Sequence, residues 1–176
     1  MAPIFIIGYM ASGKTTFGRA LARKLGVEFI DLDFYIEQRF RKSVSELFAE
    51  RGEEGFRKIE LAMLREAGEF ENCIISCGGG TPCFFDNMDY MLSRGTTVWL
   101  EATPERITER ILANQGKRPL MEGKSPEEVM TAVKAGLESR QPHYSRAAVR
   151  FSGQNLEDRR QINQTVDEFI SYYLLK

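Results

Sequence analysis

No apolar run in the 176 residues approaches the roughly 18 that a helix needs to cross a bilayer. No membrane span is therefore expected. No basic stretch precedes an apolar core at Met1-Ala2-Pro3-Ile4, so no secretory signal is expected either. Neither charge is in surplus: Lys plus Arg is 24, Asp plus Glu is 25, and the net charge is −1. That balance lacks the basic excess of a nucleic-acid binder. It leaves room for small anionic ligands, which need only a few placed cations. There are three cysteines and one histidine. Cys73, Cys77 and Cys83 form no C-x-x-C pair, and His143 is remote from them in sequence, so a zinc site is not expected. The thiols read as small apolar side chains in a reducing, cytoplasmic setting. Repeats, low-complexity tracts and Pro/Gly/Ser-rich linkers are also missing. One domain over residues 1–176 follows, long enough to bury a core without disulfides.

What is present is an alternation of short apolar runs and helical patterns. Residues 3–7, 27–30, 73–76, 96–100 and 149–151 read as five strands. The first is apolar throughout, as a strand covered on both faces requires. Phe17, Leu21 and Leu25 recur at helical spacing, and Gly26 stands where that helix should stop. Residues 34–70 read as helices broken near Lys42-Ser43 and at Gly52. Thr103-Pro104-Glu105 and Ser125-Pro126-Glu127 are helix starts: a capping hydroxyl, proline in the first turn, then an acid at the positive end of the dipole. A last helix is expected over about 158–174. Strands separated by helices imply βαβ units: an α/β chain with a five-stranded parallel sheet and helices on both faces. Ligands in such folds bind beyond the carboxyl ends of the strands. Gly8, Asp31 to Asp33 and Gly78 to Gly80 all fall there.

Gly8-Tyr9-Met10-Ala11-Ser12-Gly13-Lys14-Thr15 fits G-x-x-x-x-G-K-[ST]. Backbone N–H groups of such a loop wrap a phosphate, and the following helix aims its positive end at it. The three-layer phosphate-loop NTPase fold follows. Lys14 is placed to reach the β and γ phosphates of a nucleotide, and the Thr15 hydroxyl to ligate Mg²⁺. Alanine at position 11 is expected to need φ below zero. Asp31-Leu32-Asp33 follows a strand, and residues two apart on an extended segment point the same way. Both carboxylates then face the phosphates, one toward Mg²⁺ and one toward a nucleophilic hydroxyl. The alternative is that Asp33 only caps a helix starting at Phe34.

Other segments carry two readings each. Arg57 with Glu60 is either an i,i+3 pair on a solvated face or part of a site. Gly78-Gly79-Gly80 is either a tight strand exit or a backbone brought close to a ligand. The polar stretch from Asn114 to Lys124 is an exposed loop or a lid that delivers Arg118 to phosphate. Arg140 is a helix-terminal cation or an anion ligand.

The order of these segments resembles the shikimate kinase family. The matching segments are Gly8 to Thr16; Phe29-Ile30-Asp31-Leu32-Asp33 with Glu37; Ser45 to Phe48 and Gly52-Glu53 through Phe56-Arg57 to Glu60; Gly78 to Pro82; Arg118-Pro119-Leu120; and Arg140 with Tyr144. Many NTPases share the phosphate loop, whereas the later segments in this order are far more specific. The resemblance implies transfer of the ATP γ-phosphoryl group to the 3-hydroxyl of shikimate. It implies that Gly8, Ala11, Ser12, Gly13, Lys14, Thr15 and Thr16 hold the nucleotide, with Thr15 and Asp31 on the Mg²⁺ side. Asp33 looks like the group on the shikimate hydroxyls. Arg57 and Arg140 look like the carboxylate grip, and Gly79 and Gly80 like backbone donors. Arg118 looks like the lid arginine, in a lid of about 112–125, and Arg110 is similar to a residue that stacks on adenine. A substrate-binding insertion of about 33–61 is implied as well. Residues 152–155 are expected to border the adenine. The partners implied are shikimate and ATP, with no nucleic acid and no membrane, for a monomer. Two other readings remain open: a different small-molecule or nucleoside monophosphate kinase on this scaffold, and an ATP-binding module without turnover.

Overall fold

The structure, a computed structural model, describes residues 1–114 and 121–174. Five strands, β1 (Ile4–Ile7), β2 (Glu28–Asp31), β3 (Cys73–Ser76), β4 (Thr96–Glu101) and β5 (Val149–Ser152), pair in parallel in the order β2-β3-β1-β4-β5. β1 is central, with Ile4 in register with Ile74 on one side and Thr96 on the other. The expected α/β architecture is the one the chain builds.

Alternation along the strands divides the core. Ile4, Ile6, Ile74, Val98 and Leu100 pack with Phe17 and Leu21 of α1 (Lys14–Leu25) and with Val166 and Phe169 of α7 (Arg159–Phe169). Phe5, Ile7, Ile75 and Trp99 point the other way. They pack with α2 (Leu32–Phe40), α3 (Val44–Gly68), α4 (Asn87–Arg94), α5 (Pro104–Ala113) and α6 (Pro126–Tyr144). Period-two side-chain direction thus makes three layers from one sheet. All four residues of β1 are buried, as its uniformly apolar sequence requires.

The helix ends obey local chemistry. α1 stops at Gly26, which takes φ 68. Ser43 with Glu46, and Ser125 with Glu128, form capping boxes at the starts of α3 and α6. Thr103 Oγ1 accepts from the Arg106 N–H at 3.2 Å, and Pro104 occupies the first turn of α5. Gly52 kinks α3 with φ 66 and ψ 179, backbone that only glycine adopts without strain. The last helix runs as expected to Leu174, as α7 to Phe169 and then as a wider π-helical stretch over Ile170–Leu174. Among the described residues no helix is long and apolar enough to cross a membrane.

Candidate active site

β1 ends at Ile7, and the glycine-rich loop carries the chain into α1 at Lys14. Gly8 has φ 149, and a Cβ on it would lie 2.4 Å from the Leu100 carbonyl oxygen. Gly13 has φ 99 and precedes α1 with no side-chain cap, and no acid stands in the first turn. The first N–H groups of α1 are therefore left for an anion. Lys14 Nζ donates to the carbonyls of Gly8 and Tyr9, each at 2.9 Å. Ala11 corrects the expectation from sequence: it takes φ 60, not a negative value. The wrap of the loop overrides the alanine's own preference.

Lys14, Thr15, Thr16, Asp31, Asp33, Gly78, Gly79 and Arg110 line one cleft of about 390 Å³. Thr15 Oγ1 donates to Asp31 Oδ2 at 3.2 Å. Two hard oxygens side by side beside a phosphate-type loop suit Mg²⁺.

The two aspartates reach the cleft by a route the sequence reading did not foresee. Asp31 ends β2 and is itself the cap of α2, its Oδ1 accepting from the Phe34 N–H at 3.3 Å. Asp33 lies inside the first turn of that helix, so neither the extended-segment reading nor the reading of Asp33 as a cap holds. A strand-to-helix bend, not strand alternation, brings both carboxylates together. Burial, then Asp31 and Glu60, push the Asp33 carboxyl up to about 6; Lys14 opposes them, and Glu37 adds a little. Cys77 shares this wall, and burial pushes its thiol up, so it stays neutral.

Arg57 and Arg140 meet the other side of the same glycine loop. A Cβ on Gly80 would lie 2.6 Å from Arg57 Nη2, and one on Gly79 would lie 2.9 Å from Arg140 Nη1. Glycine at both positions lets guanidinium groups lie against the backbone, a reason distinct from φ. Arg57 Nη1 donates to Glu60 Oε1 at 2.9 Å, so the i,i+3 pair exists. It is not on a solvated face: the Glu60 side chain is 1% exposed and that of Arg57 12%. The second Glu60 oxygen accepts from Thr81 Oγ1 at 2.7 Å. Arg140 lies 5.0 Å from the Tyr9 ring centroid. Tyr144 OH donates to the Gly79 carbonyl at 2.5 Å, and burial raises its phenol well above the usual range, so it remains a donor. The structure thus brings Asp33, Arg57, Arg140, Gly79 and Gly80 around one loop.

Arg110 is tied down on the nucleotide side. It donates to the Ala11 carbonyl at 3.1 Å, to the Gly153 carbonyl at 2.8 Å and to Glu157 at 2.5 Å. The C-terminal segment lining the cleft is Leu156-Glu157, just past the expected 152–155. Nothing local in sequence marked those two residues; only the fold returns them to the phosphate loop. Glu60 was visible by its spacing, but its burial was not. The expected lid arginine, Arg118, lies outside the described residues.

Comparison with known proteins agrees with this arrangement. The family model described as shikimate kinase matches residues 10–171. A shikimate kinase of Phocaeicola vulgatus is 51% identical over 167 residues, covering 95% of each chain. The crystal structure of the shikimate kinase of Bacteroides thetaiotaomicron superposes with a TM-score of 0.95 at 49% identity, covering 99% of this chain and 98% of that one. An Acinetobacter baumannii shikimate kinase solved with shikimate gives a TM-score of 0.84 at 28% identity, over 99% and 94% of the two chains. With its phosphate loop, paired aspartates and loop-packed arginines in this order, and relatives of this identity along nearly its whole length, the chain belongs to the shikimate kinase family.

Proposed function

We propose that this chain transfers the ATP γ-phosphoryl group to the 3-hydroxyl of shikimate, giving shikimate 3-phosphate and ADP in the biosynthesis of chorismate and the aromatic amino acids. The observation that carries the reading is a single glycine loop with a phosphate-binding cleft on one side and two arginines packed against its backbone on the other. An uncharged sugar has no anionic group to use the second half.

The residue roles follow from this division. Residues 8–16 hold the nucleotide phosphates, including Gly8, Ser12, Gly13 and Thr16, and Lys14 moves from its loop carbonyls to the β and γ phosphates. Thr15 and Asp31 hold Mg²⁺, which when bound neutralises phosphate charge. Arg57 and Arg140 take the shikimate carboxylate, a planar acid that guanidinium groups grip bidentately. Arg57 Nε is buried with no hydrogen-bond partner among the described residues. Gly79 and Gly80 offer backbone N–H groups to the substrate. Asp33 accepts the proton of the 3-hydroxyl as its oxygen bonds to the γ phosphorus and the bridge to the β phosphate breaks. Catalysis is mostly positioning and charge neutralisation. Arg110 anchors the adenine side of the loop, and Arg118, assigned by family resemblance, adds charge at the phosphates. We assign one catalytic domain with the acid-binding insertion at about 33–61 and a lid at about 112–125, acting as a cytoplasmic monomer.

A coupled ADP-release assay tests this reading with shikimate, gluconate and nucleoside monophosphates as acceptors. Turnover with shikimate alone is the expected result. Turnover with another acceptor instead assigns a different kinase. Tight ATP binding with no turnover on any acceptor makes the chain a non-catalytic module.

A further inference from the structure

Arg57 is held by more than carboxylates. Its Cζ lies 4.1 Å from the centroid of the Phe84 ring, with the Phe56 and Phe48 rings at 5.4 and 5.7 Å. Phe48 and Phe56 share α3 with Arg57 and stack on each other with centroids 4.3 Å apart. Phe84 comes from elsewhere. It is the first residue after the short 3₁₀ turn Thr81–Cys83 that follows the glycine loop. Phe84 itself is extended, at φ −119 and ψ 146. Phe85 then takes φ 51 and is 57% exposed. A bulky L residue enters left-handed backbone against its own sterics, so something else must hold the turn. Asn87, fully buried, does this: its Nδ2 donates to the Thr81 carbonyl at 2.9 Å, and its main-chain N–H donates to the Phe84 carbonyl at 3.3 Å.

A ring face holds a guanidinium differently from a carboxylate. The cation sits over the π face while its in-plane N–H groups remain free to donate. A carboxylate partner uses those donors up and neutralises the charge. Among the described residues, Glu60 takes Arg57 Nη1, Nη2 reaches Glu53 at 3.6 Å, and Nε has no hydrogen-bond partner. We propose that Phe84 is a positioning residue for the acid substrate: stacked on Arg57, it fixes the guanidinium against the Gly80 backbone and leaves donors free for the substrate carboxylate. This rests on the assignment of Arg57 to that carboxylate.

The test compares Phe84→Leu, Phe84→Tyr, Arg57→Lys and the double variant Arg57→Lys/Phe84→Leu, with KM for shikimate and for ATP, kcat and thermal midpoint measured for each. Leucine keeps the apolar bulk and removes the ring face; tyrosine keeps the face. Phe84→Leu is expected to raise the shikimate KM about 3- to 10-fold, with the ATP KM, kcat and midpoint nearly unchanged, and Phe84→Tyr is expected to restore it. In the Arg57→Lys background, Phe84→Leu is expected to add little, because the group it positions has gone. An unchanged shikimate KM in Phe84→Leu, equal rises for both substrates, or full additivity in the double variant each overturns the role of Phe84. If Arg57→Lys alone leaves the shikimate KM unchanged, the assignment of Arg57 falls and takes this proposal with it. A shikimate KM raised by Arg57→Lys but unmoved by Phe84→Leu overturns the role of Phe84 alone.

Discussion

At Asp33, burial and the neighbouring Asp31 and Glu60 raise the carboxyl to about 6, with Lys14 acting the other way. A raised carboxyl binds its proton more tightly in the folded chain than in the unfolded one. Stability is therefore greatest below the unfolded value, near pH 4, and falls as the pH rises through about 6. Above that, the ionised carboxylate opposes folding. Asp33→Asn is expected to be more stable than the parent at pH 8 by about 3 kcal/mol, a difference that shrinks toward zero below about pH 4 in urea unfolding. The same substitution should bind ATP and lose most turnover. In the parent, kcat/KM for shikimate is expected to fall about tenfold per pH unit below about pH 6, where Asp33 is protonated. An acid limb near pH 4 in the rate profile would remove Asp33 as the proton acceptor. Much of this was legible in sequence: two carboxylates, two residues apart, after a strand. The displaced titration was not, because it depends first on burial and then in part on Glu60, which is 27 residues away in the chain and reaches Asp33 only through folding. Ala11 shows the opposite limit. Its side chain predicts negative φ, and the loop imposes 60°.

The glycine loop between β3 and α4 shows what an element adds to its residues. From sequence, three glycines implied a backbone near a ligand. In the structure, two of them are close first to guanidinium groups, and the ligand role depends on that packing. Gly80→Ala puts a methyl 2.6 Å from Arg57 Nη2, so the side chain must move. A displacement of about 1 Å at a positioning group costs up to about 100-fold. The shikimate KM is expected to rise about tenfold or more by this argument, with the ATP KM little changed. Steady-state kinetics with each substrate varied in turn checks it, and equal rises would place Gly80 outside the acid-binding half. The helix boundaries were the most legible elements. Gly26, Ser43, Gly52, Thr103 and Ser125 each mark a stop, kink or start where the chemistry of caps and glycine predicts one. The change from α to π geometry after Phe169 was not legible, since no proline or glycine stands between Phe169 and Leu174.

On the scale of the molecule, the sheet separates two cores and the site spans both. The α1/α7 side carries the start of the phosphate-loop helix and Leu156, and the opposite side carries Asp33, Arg57 and Arg140. Phe169 anchors the first side, fully buried, its ring centroid 5.4 Å from Phe17 and 5.1 Å from Phe151. Phe169→Ala leaves a cavity there and is expected to cost about 3 kcal/mol of stability, seen as a lower denaturant midpoint. Among molecules that remain folded, the ATP KM is expected to rise while the shikimate KM holds. A rise in the shikimate KM alone would show that the two halves are not divided by the sheet in this way.

The amino-acid order by itself determined the strands and helices whose alternation implies a parallel sheet, the phosphate loop, most helix ends and the family, because these are carried by local patterns. Periodicity, caps and loop spacing are local and can be read locally. The tertiary structure decided which charges are buried together. It moved Asp33 from an extended segment into a helix turn, buried the Arg57–Glu60 pair, and set Leu156 and Glu157 beside a loop more than a hundred residues earlier. Those outcomes depend on desolvation and on contacts between distant segments. Desolvation belongs to the packed molecule and to no single stretch of its sequence.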